Sequence, residues 1–302
     1  MSDSVPGDLE HLYELAGVAA TGTDPVLCRS EFARATTALE ERWGAPARIK
    51  TLRGLLERLV RARTGAIDGL EYPEAVKGLL RREFVRIHES VAVEADEHFD
   101  LASHRFRSDL RICCFGRIPV GPEHMELDGV PRSILYRGGS SQAWNSLRLL
   151  MTAGGFRPYY VLHLAYGIPP AAFLLVYSRQ AQETMFRNLA GALRMNPGVR
   201  GVLASSWWHD PQLDEFSPYL AYLRTGWTNG GASLLRWGAG DQTVELATRN
   251  SPTRQKLVSE GRYRPTTYMV VWPRRSLLEW ADGQAETGRS NDPWPGGSKQ
   301  SV

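Results

Sequence analysis

Between Pro158 and Ser206 the chain carries two short apolar runs on either side of an amphipathic segment, and this arrangement restricts its fold more than any other feature. Tyr159–Leu164, rich in aromatic and branched side chains, predicts a strand. Ala181, Met185, Leu189 and Leu193 then recur at helical spacing and predict a helix with one apolar stripe. Val199–Ala204, set off by Pro197-Gly198, predicts a second strand. Strand, helix and strand in succession place this region in an α/β sheet, where ligand crevices form at the carboxyl ends of strands.

The flanking sequence has a different texture. Leu52, Leu55, Leu56, Leu59 and Val60, then Val76, Leu80, Phe84, Ile87 and Val91, repeat with helical period. Pro46 and Pro73 fit helix starts, and Gly44 and Gly65 fit helix ends. After Asp109, Leu110–Val120 predicts a strand centred on Arg111–Phe115, followed by turns over Pro122–Pro131 and a short strand at Ser133–Tyr136. Asn145–Met151 predicts a helix stopped by Gly154-Gly155. Further on, Asp214–Arg224 and Arg254–Glu260 predict helices, and Ala232–Trp237 and Thr267–Trp272 predict strands. The fold class is therefore α+β: a helical region over residues 1–105, a mixed α/β domain over 106–281 that holds the candidate site, and a Gly-, Ser- and Pro-rich tail over 282–302 expected to be disordered. The helices are equally compatible with packing on the sheet as one unit.

Bulk properties exclude several classes. A net charge of +3 over 302 residues argues against a nucleic-acid partner. No apolar run reaches transmembrane length, so no membrane partner is expected. The polar start, Met1–Asp8, lacks the plan of a signal peptide, and three cysteines, two of them the adjacent Cys113 and Cys114, make no disulfide framework. A cytoplasmic protein acting on a small-molecule substrate is the expectation.

The densest chemistry follows the second strand. Ser205-Ser206-Trp207-Trp208-His209-Asp210-Pro211 places hydroxyls, indoles, an imidazole and a carboxylate at a strand end. His209 is a candidate base, Ser205 and Ser206 are candidate orienting donors, and Asp210-Pro211 also reads as a helix start. His163 shares a strand face with Tyr159 and Val161 and is a second candidate base if the two strands are neighbours. Trp207, Trp208, Tyr159, Arg224 and Asn229 are candidate substrate contacts, Asn229-Gly230-Gly231 being also a turn before a strand. Glu94, Glu97 and His98 form only a fragment of a helix-bundle metal site, so no metal ligand is assigned. The basic run Arg48, Lys50, Arg53, Arg58, Arg61 and Arg63 reads as a solvated helix face.

Two resemblances add to this reading. Segments from Arg200-Gly201 to Ser206-Trp207, Asp210-Pro211, Ser217–Arg224, Asn229-Gly230 and Gly261–Thr266 resemble a family of bacterial proteins of unassigned activity. The order of elements from Tyr159 onward is similar to the GNAT-type N-acetyltransferase fold. That resemblance implies acyl-coenzyme A bound where two parallel strands splay, with its pyrophosphate on the next helix N-terminus. Arg187-Asn188-Leu189-Ala190-Gly191-Ala192 resembles the phosphate loop of that fold and makes Arg187 the candidate cofactor residue. The implied activity is acyl-coenzyme A-dependent N-acyl transfer. A non-catalytic metabolite- or protein-binding member of the same fold is the alternative, and a metal-dependent enzyme the third.

Overall fold

The structure, a computed structural model, describes residues 5–21, 25–165 and 176–290. Four long helices lead the chain: α1 (Val5–Thr21), α2 (Pro25–Trp43), α3 (Ala45–Arg63) and α4 (Glu74–Val93). The leucine stripe of α3 and the Val76–Val91 stripe of α4 are the faces that fold inward, as their spacing predicts. Four residues of the basic run pair with carboxylates of the chain. Arg48 meets Asp100 at 2.7 Å and Arg53 meets Asp96 at 2.9 Å, while Arg58 pairs with Glu10 and Arg61 with Glu57.

Two segments reverse the sequence reading. Leu110–Val120, expected as a strand, begins as the end of α5 (His104–Cys113) and continues through a turn, with only Ile118–Pro119 extended as β1. Phe106, Asp109 and Cys113 are buried at helical spacing, and the Ser103 hydroxyl accepts from the Phe106 N–H at 3.3 Å to cap the helix. Cys113 and Cys114 therefore lie buried together at a helix end rather than on opposite faces of a strand. Pro122–Pro131, expected as turns, contains β2 (Glu123–Asp128). Its four ionisable side chains hid a strand that pairs with its neighbour along its whole length. Ser133–Tyr136 is also no strand, since Ile134–Arg137 forms a helical turn that leads into α6 (Gly139–Thr152). Gly154 and Gly155 end α6 with φ of +91° and +119°, a conformation that favours glycine.

The strand–helix–strand unit is present as β3 (Tyr159–Leu164), α7 (Arg179–Met195) and β4 (Gly201–Ser206). After β4 the expected Asp214–Arg224 helix is broken, because Pro218 opens a separate turn and α8 spans Tyr222–Asn229. Then come β5 (Ser233–Gly238), α9 (Asp241–Thr248), α10 (Pro252–Ser259), β6 (Thr267–Pro273) and α11 (Arg274–Ser290). The tail expected to be disordered begins inside α11, and its residues 291–302 lie outside the described residues.

The six strands form one mixed sheet in the order β1-β2-β3-β4-β6-β5, so the fold is α+β. β3 and β4 are parallel and the other neighbours antiparallel. On one face Tyr160, Leu162, Val202 and Ala204 join the inward stripes of α3, α4 and α7 in a single apolar cluster that runs from Leu12 to Ala281. The boundary expected at 105/106 falls within α5, and this cluster continues on both sides of it. On the other face Tyr159, Leu203, Leu235 and Val271 pack against Leu150 of α6. Side chains cover part of the outer edge of β5: the Gln142 amide donates to the Arg236 carbonyl (2.8 Å) and accepts from the Arg236 N–H (2.9 Å), and Arg137 donates to the Trp237 carbonyl (3.3 Å).

Candidate site at the diverging ends of β3 and β4

The parallel pair is held together at one end only. Along β3 every residue from Tyr159 to Leu164 has a partner on β2, and along β4 every residue from Gly201 to Ser206 has one on β6. Between β3 and β4 the pairs are Tyr160 with Val202 and Val161 with Leu203. Leu162–Leu164 and Ala204–Ser206 thus face each other without ladder partners across the gap, at the carboxyl ends of both strands. Unpaired backbone edges between two strands are costly unless a ligand, water or side chain satisfies them.

Tyr177, two residues before α7, bridges those ends. Its hydroxyl donates to Glu123 Oε1 at 2.7 Å, and Glu123 opposes Leu164 at the last position of β3. Its ring lies 6.0 Å from that of Trp208, two residues beyond β4. Burial in this apolar setting pushes the Glu123 carboxyl up to about 7, against a smaller opposing effect of the Tyr177 hydrogen bond. The same burial, with the carboxylate beside it, drives the Tyr177 phenol far upward, so the phenol keeps its proton. Glu123 Oε2 is buried and makes no hydrogen bond among the described residues. A buried carboxyl that titrates near neutrality and has a free oxygen has the attributes of an acid–base group.

The residues expected to act from the Ser205–Pro211 run divide between the two faces. Ser206 is buried and its hydroxyl accepts from the Trp208 N–H at 3.4 Å, a local cap. Ser205 points to the other face and is exposed. His209 is 1% exposed, wedged edge-on between Trp208 and Trp227, with Nδ1 3.4 Å from the Tyr268 carbonyl. Desolvation lowers its pKa to about 4, so it is a neutral core imidazole. Asp210 is also structural: one oxygen accepts from the Gln212 N–H (3.1 Å) and the other from the Thr266 N–H (3.0 Å), which pins the loop to the start of β6. Trp207 covers the guanidinium of Arg254 at 4.9 Å.

His163 does not meet His209. It lies on the Ser205 face, its side chain 40% exposed, with Nε2 3.6 Å from Glu126 Oε2. Glu126 is held by Arg111 (2.8 Å) and Arg117 (2.5 Å). Burial lowers the His163 pKa, although Glu126 opposes the shift. Arg224 pairs with Asp214 near His209, and Asn229 ends α8 in solvent. Tyr159 stands at the wrong end for a substrate contact. It opens β3, about 16 Å of strand away from Leu164, and its hydroxyl donates to the Gly155 carbonyl at 3.0 Å. Arg187 sits in the third turn of α7, paired with Glu183 at 3.6 Å, and so has no place at a helix N-terminus. The Glu94–His98 spacing also dissolves: α4 ends at Val93, Glu94 pairs with Arg105, and His98 turns inward to Asp109. Among the described residues no three metal-ligating side chains converge, so the metal-dependent alternative has no donor set there.

Glu123 and Tyr177 were missed because Glu123 sits in the charged stretch taken for turns, and Tyr177 ends an apolar run with no reactive neighbour. The one available signal was the alternation of Met125 and Leu127 with His124, Glu126 and Asp128.

Comparison with known proteins adds few relatives. No family model matches the chain, and no curated protein matches it. Among solved structures, an acyltransferase in complex with decanoyl-CoA and teicoplanin shares 16% identity at a TM-score of 0.40, covering 78% of this chain and 68% of that one. An acyltransferase in complex with decanoyl-CoA shares 17% identity at a TM-score of 0.38, with 78% and 67% coverage.

Proposed function

We propose that this protein transfers an acyl group from acyl-coenzyme A to an amine, at the gap between β3 and β4. The observation that carries the reading is the parallel pair joined at only two positions. An extended pantetheine arm with two amides is suited to the main-chain groups left without ladder partners there. The start of α7 belongs to the same crossover. Arg179 is its first residue, Ser178 caps it by accepting from the Ala181 N–H (3.2 Å), and no acidic residue stands in its first turn. Its free N–H groups and positive end suit a pyrophosphate, a place that Arg187 does not reach. The order β3, α7, β4, α8, β5, β6, with α9 and α10 inserted before β6, also supports the resemblance to N-acetyltransferases.

In this reaction the amine nitrogen attacks the thioester carbonyl carbon, the carbon–sulfur bond breaks, and coenzyme A leaves as thiolate. The proton released by the amine passes to the Glu123 carboxylate through Oε2, directly or by one water. Tyr177 holds Glu123 Oε1 and leaves the second oxygen for that task. Backbone N–H groups of the open strand ends face the developing oxyanion.

Calorimetry with acyl-coenzyme A, paired with an assay of thiol release in the presence of amines, tests the reading. Glu123→Gln is expected to bind acyl-coenzyme A as wild type does and to lower kcat by about 10²-fold or more. Absence of binding at millimolar acyl-coenzyme A, or a Gln variant with full kcat, rejects it.

A further inference from the structure

Helix α6 is oriented against the usual logic of amphipathic packing. It buries Ser146 (0% exposed) and Leu150, yet turns Trp144 (69% exposed), Leu147 and Met151 (70% exposed) outward along one stripe. These three, with Arg148 and Thr152, line a shallow cavity of about 470 Å³. Three large apolar side chains on one exposed helix face mark an interaction surface.

The charges around the stripe identify the partner. From Gly129 to Gln182 the sequence has no Asp or Glu, while the part that precedes β3 contains Arg132, Arg137, Arg148 and Arg157. Arg157 is paired with Asp128, and Arg137 lies over the Trp237 ring. Arg148 is exposed on the same face as the apolar residues and lines the cavity with them. A second copy of the chain would bring this single-sign face against itself, with Arg148 near its own counterpart across a two-fold axis. An anionic partner meets no such repulsion. An apolar stripe of Trp, Leu and Met exposed on one helix, with a guanidinium group on the same face, is the pattern that seats in the headgroup region of a bilayer. The cavity, with apolar walls and one guanidinium, matches a lipid's chain and phosphate. Among the described residues no helix is long and apolar enough to cross a membrane, and the 14 residues of α6 suit a helix lying flat on one.

The geometry points to α6 as a peripheral docking surface for bilayers that carry anionic phospholipid. The full chain, sedimented with vesicles of phosphatidylcholine alone or with about one-third phosphatidylglycerol, should partition at least about tenfold more onto the anionic vesicles and be released by salt. Trp144→Ser with Met151→Ser, and separately Arg148→Glu, should each lower that partition about tenfold. Both alterations fall on exposed side chains, so circular dichroism should show unaltered melting. Three outcomes overturn the proposal: equal or no binding to the two vesicle types, binding unaffected by either variant, or light scattering that shows a dimer without lipid that the double variant dissociates.

Discussion

Glu123→Gln should remove one pH-dependent loss of stability across neutral pH. The carboxyl has an ordinary pKa of 4.5 when the chain is unfolded and about 7 when folded. Between those values the folded protein holds a proton that the unfolded chain has released. The contribution of the neutral carboxyl is therefore fully present below pH 4.5 and is lost as the pH rises through 7. At about 1.4 kcal/mol per pH unit the loss approaches 3 kcal/mol by pH 8. Glutamine keeps an oxygen to accept from Tyr177 and carries no charge, so the variant escapes the loss. Buried His209 and His124, both lowered to about 4, act oppositely and remove stability as the pH falls from 6.5 towards 4. They are common to both proteins and cancel in the difference. Urea unfolding followed by tryptophan fluorescence at pH 5 and pH 8 gives that difference directly. The variant should gain on wild type by about 2–3 kcal/mol between the two pH values. A difference that stays flat with pH refutes the assignment of Glu123 as a buried acid. Tyr177→Phe supplies the control: without the phenol donor the carboxyl is harder to ionise, and the loss moves to higher pH.

Two further outcomes follow from the packing. Trp208→Ala removes an indole packed against Tyr177 and should cost about 3–5 kcal/mol in unfolding free energy, whereas Trp207→Ala, which removes a partly exposed ring over Arg254, should cost about 1 kcal/mol. Equal losses for the two tryptophans would contradict their placement. Arg86→Ala leaves Asp109, 1% exposed and bonded to that arginine at 2.5 Å, with His98 in place of a guanidinium as its partner, and thermal unfolding should report a loss of about 3 kcal/mol; a variant as stable as wild type would show that the pair contributes nothing.

The fold was legible where apolar residues set a period and illegible where charge did. The α3, α4 and α7 stripes and the β3, β5 and β6 strands follow from hydrophobic spacing, because one face of each meets the core. β2 could not be read that way, since Glu123, His124 and Glu126 are buried or half-buried as polar groups in contact with Tyr177, Arg117 and one another's counter-charges. α5 was mistaken for a strand because Ile112, Cys113 and Cys114 are compact and apolar, a texture that fits either state until the Phe106–Asp109–Cys113 period is weighed. For the site, the sequence points to the end of β4 and to His209, which the structure buries between Trp208 and Trp227. Whether a histidine at a strand end faces solvent or core depends on residues such as Trp227, eighteen positions downstream, and no local pattern encodes that.

The amide of Gln142 on β5 has a consequence for how copies of this chain can assemble. A bare edge strand invites a neighbour's strand to continue the sheet, the first step towards domain-swapped or fibrous aggregates. Here a side chain from α6 occupies both main-chain groups of Arg236, and the opposite margin, β1, is only two residues long. At both margins part of the template is thus taken up from within the chain, which weakens β-strand exchange there.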